Sequence, residues 1–568
     1  MEQKPAGIIY GVNDIPPLRT TLLLAFQHAA LALVFIVYPL MVLSEASATQ
    51  AQAEAIVTAS ILAIAAGTFL QCLGRQGMGS GYLVVHISTP AFLPVAFQAV
   101  AMGGMGLLFG MTVVAGIFMI IFSRFLRHLR KVFPAEVCGV AILALGISMV
   151  GAAMSRMLGL GSDGQVDPNA VVVAAVTLTI IVALSVWPKG RIRLYSVMIG
   201  IACGYGTALY FGVVDAASIR NMFDGGFLAL PTLTVPEWKF EWILLIPFLL
   251  VALVSSLDSV AGIVTCQKIN QSEWVRPDMN NAGRGILADG VGVTLSGMLG
   301  TLGTGISTSH IALSSATGAT ARRIGLLAAV MLLVLAFVPP IAKLLSQIPA
   351  PVMGVVLFYA SVFLITSGIG LITTRMMDNR RVFMVGSSIV AGLFVLQFPE
   401  LAAQLPIWLS SVVGSAFAVS SLCAIILNLL FLIGTSQTAT IRIKPELVNL
   451  QEVRIFFEQS GGSWGARRQV IQRAEAAVNE LLETLILMEL TSEPIVVQAR
   501  FDEYNLDVKV SYAGMEFSAL DQQPVTEQLL DEDAVLMRLP AMLIRQYADR
   551  VAVDRVNQQQ RVLLHFEH

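Results

Sequence analysis

The sequence predicts an all-α polytopic membrane protein. It has fourteen transmembrane spans, arranged as two inverted repeats of seven, and a small C-terminal cytoplasmic α/β domain. Three observations predict this. Of 568 residues, 56% are hydrophobic and 13% charged, where a soluble chain carries about 25% charge. The charge is also unevenly placed: residues 1–440 hold 39 Lys, Arg, Asp and Glu, and residues 441–568 hold 33. The first part has the composition of a bilayer-embedded body and the second that of a soluble domain, which puts the boundary at 440/441. Finally, apolar stretches of roughly 20 residues, the length of a membrane-crossing helix, recur along the first part.

Taken in order, the clear spans are 20–43, 55–74, 103–123, 134–154, 169–187, 195–214, 243–266, 285–300, 324–343, 351–373, 383–398 and 407–433. Two further apolar segments, 83–98 and 303–318, are short and broken by Gly, Pro, Ser and Thr. Counting both gives fourteen. Loop charge tests the count, because cytoplasmic loops are enriched in Lys and Arg. With the N-terminus inside, the inner loops carry Arg75; Arg124, Arg127, Arg130 and Lys131; Lys189, Arg191 and Arg193; Lys268, Arg276 and Arg284; Arg322 and Arg323; and Arg375, Arg380 and Arg381. Lys4 and Arg19 lie in the N-terminal tail, while the outer loops hold only Arg156, Arg220, Lys239 and Lys343. Both termini are therefore expected on the cytoplasmic side of a cell membrane. The polar, Pro-containing start does not have the form of a cleavable signal.

A net charge of -2 gives no hint of a nucleic-acid partner. The five cysteines, Cys72, Cys138, Cys203, Cys266 and Cys423, lie in apolar stretches without a C-x-x-C pair, so neither a disulfide framework nor a metal site is expected.

The chain repeats itself weakly. Residues 134–140 read Pro-Ala-Glu-Val-Cys-Gly-Val and 349–355 read Pro-Ala-Pro-Val-Met-Gly-Val. Ile87-Ser88-Thr89 matches Ile306-Ser307-Thr308 at nearly the same offset. Seven spans per copy is odd, so the second copy is inverted in the membrane. Paired, interrupted segments in inverted repeats point to a transporter's central site. Unwound backbone survives at membrane depth only where it is buried in protein or lines a wet cavity. The half-helices that follow point positive N-terminal dipoles at that cavity.

Polar residues fall on the same elements. His28, His86 and His310 lie in apolar segments, His86 and His310 in the two broken ones, and Asp258 is the carboxylate well inside a span; Glu136 and Asp289 lie nearer span ends. Intramembrane ionisable residues are functional candidates by default, against the plainer reading that each histidine bonds a neighbouring carbonyl. Ser88, Thr89, Ser307, Thr308 and Ser309 precede the expected half-helices, where hydroxyls cap free N–H groups and can also meet a ligand.

These residues carry a resemblance. Gln27-His28 resembles the Q-H motif of the nucleobase–ascorbate transporter (nucleobase–cation symporter 2) family, the uracil and xanthine permease-like proteins. So do Phe133-Pro134 with Gly139, Thr265-Cys266-Gln267-Lys268-Ile269-Asn270, Trp274, Arg276-Pro277-Asp278, Gly285-Ile286-Leu287-Ala288-Asp289-Gly290 and Thr317-Gly318-Ala319-Thr320-Ala321-Arg322. The resemblance covers about residues 15–435 and implies fourteen spans in core and gate domains, a homodimer, and symport of a nucleobase with a proton or sodium. The chain also departs from the family. Counting back from Thr317 puts Ser309 at the usual Glu, His310 at the Asn and Ala312 at the Gly. Counting back from Gly262 puts Ser259 at the eighth-span Glu, with Asp258 beside it. Thr89 stands where an aromatic is usual. Either Asp258 replaces the eighth-span carboxylate after a one-residue shift, or the site has lost it; such losses favour a more anionic ligand such as urate or xanthine anion.

In the C-terminal part, helical spacing predicts a helix over 467–487, a hairpin of 494–501 and 505–512 about Asp502-Glu503-Tyr504, a helix near 530–549 and a last strand over 561–566. The order resembles a GHKL-type ATPase domain, with Ala477-Val478-Asn479-Glu480-Leu481 similar to its magnesium-binding helix. Thr484 stands four residues after Glu480 in place of Asn, the adenine-holding stretch is reduced to Ser511-Tyr512-Ala513-Gly514-Met515, and the Gly-rich lid is missing. Phosphoryl transfer needs the metal bridge, so no ATPase activity, and no enzyme activity or cofactor, is expected; docking or dimerisation is.

The leading reading is a secondary transporter, a symporter of a nucleobase or purine such as uracil, xanthine or urate, moving core against gate. Its expected central site is His28, Ser88, Thr89, Asp258, Ser259, Thr308, Ser309 and His310, with Asp258 as coupling carboxylate. Two alternatives stand beside it: a ligand sensor derived from a transporter and signalling through the C-terminal domain, and a small-anion transporter of the same fold.

Overall fold

The computed structural model describes residues 5, 7–46, 48–74, 77–129, 134–160, 164–187, 191–214, 226–231, 236–272, 278–374, 377–406, 413–431, 437–444, 450–502, 505–515, 517, 532–556 and 559–567. Arg75, Arg130, Lys131, Phe133, Lys189, Arg220, Trp274, Arg276, Pro277, Arg375, Glu503 and Tyr504, which the sequence reading used, lie outside them, as do Lys4 and residues 407–412 and 432–433 of the last expected span. The described chain divides into two compact units. One comprises residues 1–134, 140–368 and 389–422; the other comprises 135–139, 369–388 and 423–568.

The first unit is mostly helical. Its elements begin with α1 (Leu18–Val34), α2 (Val37–Ser44) and α3 (Gln50–Leu73), then strand β1 (His86–Ser88), a 3-10 turn at Pro90–Phe92 and α4 (Leu93–Leu129). Next come α5 (Ala135–Ser148), α6 (Val150–Met157), α7 (Pro168–Val186), α8 (Ser196–Tyr210), α9 (Leu245–Asn270) and α10 (Met279–Leu299). Strand β2 (Thr304–Ile306) leads into α11 (Thr308–Thr317). The series closes with α12 (Arg322–Leu335), α13 (Pro339–Ser346), α14 (Ala350–Ile372), α15 (Asn379–Gln397), α16 (Pro399–Ala403) and α17 (Ala416–Phe431). Helices α5, α14, α15 and α17 run from one unit into the other.

Among the described residues, eight helices are long and apolar enough to cross a membrane, or nine if α12 and α13 count as one. Those two form the expected span 324–343, but they are bent by 87°. Pro339 and Pro340 open α13, and a residue before proline is pushed out of the helical region; Val338 takes φ -110° and ψ 90°. The expected segments 83–98 and 103–123 share one long helix, interrupted at Gly104 with φ 75°. Helix α10 starts six residues earlier than the hydropathy of 285–300 suggests, because its first turns are polar. Asp278 starts it, its Oδ1 accepting from the N–H groups of Asn280 and Asn281 at 2.9 and 3.1 Å. Asp289 consequently sits mid-helix, fully buried, rather than near a span end.

The two interrupted segments are each a strand followed by a helix, so the membrane part is not purely helical. β1 and β2 pair antiparallel in the register His86↔Ile306, Ile87↔Gly305, Ser88↔Thr304. Backbone bonds extend the pair, from Ser307 N to Val85 O at 3.2 Å and from Thr89 N to Gly303 O at 3.1 Å. This satisfies the polar backbone that no helix pairs there. The helices before the two strands end alike: α3 stops at Gly74 (φ 58°) and α10 at Gly300 (φ 80°), both left-handed. A left-handed glycine closes a helix without a Cβ clash.

The second unit contains the C-terminal layer. β3 (Gln437–Ile443), α18 (Leu450–Trp464), α19 (Arg468–Leu487), β4 (Ile495–Phe501), β5 (Asn505–Ala513), α20 (Glu532–Tyr547), β6 (Arg550–Val556) and β7 (Gln559–Glu567) follow in order. The five strands form one antiparallel sheet in the order β3-β4-β5-β7-β6. The expected hairpin and last strand are β4, β5 and β7; β3, β6 and α18 are additions. Alternation along β4, β5 and β7 sends Val497, Ala499, Val508, Val510, Val562 and Leu564 into a core with Val470, Ala474, Val478, Leu481 and Leu485 of α19.

This unit also carries a buried charge cluster. Arg381 Nε lies 3.0 Å from Glu136 Oε1, and its Nη1 donates to the carbonyl of Trp464 at 3.2 Å. Arg381 and Glu136 are both buried. Trp464 in turn stacks on Phe501, with ring centroids 5.7 Å apart and planes 6° from parallel. One guanidinium thus ties the first turns of α5 and α15 to the end of α18.

Candidate functional site

The crossing of β1 and β2 gathers the polar residues of the apolar body. α9 packs against it through residues spaced three and four apart, which share a helix face. Ser255 and Thr89 both approach Gly305, and at Gly262 a side chain would collide with Ile306 and Ile311. Ile263, Ile286, Ile306 and Ile311 belong to one buried apolar cluster beneath the crossing.

His28 of α1 and His310 of α11 meet beside it. Their rings stack with centroids 5.3 Å apart and planes at 24°, and His310 Nε2 makes a 3.1 Å hydrogen bond with the carbonyl oxygen of His28. Both are buried, at 1% and 0% exposure. The plain reading of a histidine bonding a backbone carbonyl therefore applies to one ring nitrogen. The Nδ1 atoms of both, Ser88 Oγ and Gln27 Oε1 are buried with no hydrogen-bond partner among the described residues. Buried polar atoms without partners are few in folded proteins and need an explanation.

The hydroxyls divide. Thr89 Oγ1 accepts from Ala91 N at 3.3 Å, so it caps the turn before α4. Ser307, not Thr308 or Ser309, is the N-cap residue of α11, and it makes no side-chain cap bond. Thr308 and Ser309 lie inside the first turn and are exposed. Ser259 is buried and donates to the carbonyl of Ser255 at 3.0 Å. Asp258 is half-buried on α9, and among the described residues no hydrogen bond or ion pair joins it to the two histidines.

A second buried network forms around His86 of β1. His86 Nε2 is 2.8 Å from Asp289 Oδ1, both fully buried. Gln71 Nε2 donates to Asp289 Oδ1 at 2.7 Å and to the carbonyl of Gly285 at 3.1 Å, while Gln71 Oε1 accepts from Ser80 N at 2.8 Å. Thr68 Oγ1 accepts from His86 N at 2.9 Å. Gly67 and Gly292 leave room for the His86 ring, which a Cβ at either position would crowd. Gln71 escaped the sequence reading because it stands at the end of a span; the signal that could have found it is an amide side chain deep in the apolar half of α3, one turn after Thr68.

Residues 19–401 match the model Xan_ur_permease, described as Permease family. The chain belongs to this family. Xanthine permease XanP of Escherichia coli (strain K12) is 26% identical over 440 residues, 75% of this chain and 94% of that protein. Nucleobase transporter PlUacP of Paenibacillus larvae is 26% identical over 434 residues, 73% and 95% of the two chains. The transmembrane domain of a cyanobacterium bicarbonate transporter BicA, at TM-score 0.47 and 19% identity over 73% of this chain and 99% of that one, is a likeness too loose to carry an argument.

As a permease and with its long apolar helices, the chain is a multi-pass membrane protein. Several residues that carried the resemblance have structural tasks in this permease. Gln267 Nε2 donates to the carbonyl of Asp278 at 3.1 Å and its Oε1 accepts from Asp278 N at 2.9 Å, joining α9 to α10. In the stretch Thr317–Arg322, the N–H groups of Thr320 and Arg322 donate to the carbonyls of Tyr10 and Val12, at 2.8 and 3.1 Å. Gly290 meets Gly116 where α10 crosses α4, and a side chain at either would strike the other helix's backbone.

Proposed function

We propose that this permease is a secondary active symporter that carries a nucleobase or purine, of the xanthine, urate or uracil class, across the cell membrane together with a proton or sodium ion. The observation that carries the reading is the stacked, buried His28–His310 pair beside the crossed strands, in a chain whose family match spans the whole region. The relatives named as xanthine permease and nucleobase transporter support the substrate class.

The binding site in this proposal is His28, Ser88, Thr89, Asp258, Ser259, Thr308, Ser309 and His310. Ser88 Oγ and the two Nδ1 atoms offer hydrogen bonds to a heterocycle, and the exposed Thr308 and Ser309 extend the site along the first turn of α11. The N–H groups of that turn favour a ligand with negative character. Asp258 is the coupling carboxylate. Ser259 contributes packing, since its hydroxyl is already bonded within α9.

The same reading includes fourteen spans in two inverted sevens with both termini in the cytoplasm. The matched strand-then-helix units after α3 and α10 support the duplication. Residues 441–568 are a non-catalytic module for docking or dimerisation in a homodimer. Thr484 Oγ1, at the position of the expected metal-binding residue, donates to the carbonyl of Glu480 at 2.7 Å inside its own helix, which supports a module without phosphoryl transfer.

Binding tests the substrate class. Melting of the purified chain in detergent is followed against xanthine, urate, uracil, sulfate and bicarbonate, since a ligand that binds the folded state raises the melting temperature with dose. The expected result is a shift with a base that weakens in Ser309→Ala and His310→Ala. A shift with the inorganic anions alone would remove the substrate class.

A further inference from the structure

The open face of the C-terminal sheet is the strongest unexplained feature of the molecule. Helices supply the core on one face; the other carries side chains in rows set by the strand register. One row runs Thr438, Arg500, Asp507, His565, Arg550 across all five strands. The next contains Gln498, Lys509 and Leu563 as successive partners. These residues line a recess of about 830 Å3. Within it, His565 Nδ1 bonds Asp507 Oδ1 at 2.6 Å.

A polar outer face is ordinary for an antiparallel sheet, so the sign of the charge decides. Residues 441–568 hold 13 Lys and Arg against 20 Asp and Glu. The open face reverses that balance: Arg442, Arg500, Lys509, Arg550 and Arg561 stand on it against Asp507, Asp554 and Glu567. A net-positive face on an acidic domain, with Arg500, Lys509 and Arg550 lining its recess, is complementary to an anion.

We propose that this face binds a small, multiply charged anion of the phosphate-ester class, held by Arg500, Lys509 and Arg550. Strands lie about 4.8 Å apart, so Arg500 and Arg550, three strands from each other, face one another over about 14 Å. Two long side chains close that gap onto a group of diphosphate size. Lys509 reaches it from the adjoining row, Gln498 and Thr438 offer hydrogen bonds, and Leu563, 41% exposed, gives an apolar floor for the organic part. The recess falls in the range of small-molecule sites, about 300–1,000 Å3. A second copy of the same face would meet it with like charge, which opposes association.

The test is calorimetric titration of the full-length chain in phosphatidylcholine nanodiscs with inorganic pyrophosphate and with ADP. Saturable binding of at least one is expected, tenfold or more weaker in Lys509→Gln and in Arg550→Gln, largely kept in Arg550→Lys, and tighter in Asp507→Asn. Unchanged melting of the variants shows that the fold is kept. No saturable binding of either probe, or equal binding by the Lys509→Gln, Arg550→Gln double variant, overturns the proposal. Binding seen in phosphatidylcholine but abolished in phosphatidylglycerol nanodiscs gives the face to lipid headgroups and also overturns it.

Discussion

His310 touches three things at once: the His28 ring, the His28 carbonyl and, at 6.5 Å between centroids, the Phe35 ring. Its loss removes a stack and one hydrogen bond but cuts no helix, because α11 is closed by Gly318 and started by Ser307. His310→Ala is therefore expected to weaken purine binding at least tenfold in calorimetry, with the far-ultraviolet circular dichroism unchanged. Asp289 is different in kind. It is the shared acceptor for Gln71 and His86, and leaving a buried donor without its acceptor costs about 1–3 kcal/mol for each group. Asp289→Ala should lower the denaturation midpoint of the purified chain by a corresponding amount, and retention of full stability would show that the network contributes little. The two histidines of the pair were legible in the sequence as ionisable groups in apolar segments. Their stacking was not, since α1 and α11 are almost 300 residues apart and no local rule sets that contact. Asp289 was misplaced because hydropathy undercounts a helix whose first turn, Met-Asn-Asn-Ala, is polar.

At the scale of elements, glycine sets how closely α4 and α10 cross. A methyl group at Gly290 would meet the backbone of Ile120 and Gly116, and backbone cannot move aside as a side-chain tip can. Gly290→Ala is expected to destabilise by about 1–3 kcal/mol through overpacking, read as a lower melting temperature, whereas Gly206→Ala, with open space around it, should leave melting unchanged. The interrupted segments 83–98 and 303–318 were legible as breaks because Gly, Pro, Ser and Thr interrupt their apolar runs. That the breaks are strands paired with each other was not, because three residues carry no readable period. In the sheet, β4 and β5 announced themselves by alternation about a polar turn. β3 also alternates, but it follows the apolar α17 so closely that the composition of the span masks it. The bend between α12 and α13 follows from Pro339-Pro340 and was missed by treating 324–343 as one apolar run.

For the whole molecule, Arg381 and Glu136 bear on whether the C-terminal layer folds as part of one cooperative body with the helices that lead into its unit. The buried guanidinium is joined to Glu136 and to the Trp464 carbonyl. Arg381→Met should cost about 3–5 kcal/mol and make residues 450–502 accessible to limited proteolysis before the apolar helices unfold; simultaneous loss of both would refute it. The division of charge at residue 440 was readable from composition alone, while this clasp was not, because Arg381 reads as one more inner-loop cation. The central claim remains coupled transport of a nucleobase through the crossing of β1 and β2. Uptake of labelled xanthine into proteoliposomes under an imposed proton or sodium gradient tests it most directly. The account predicts accumulation that collapses with the gradient and is abolished in Asp258→Asn while that variant still inserts and binds. Full accumulation by Asp258→Asn, or no xanthine, urate or uracil uptake by the unaltered chain under either gradient, would contradict it.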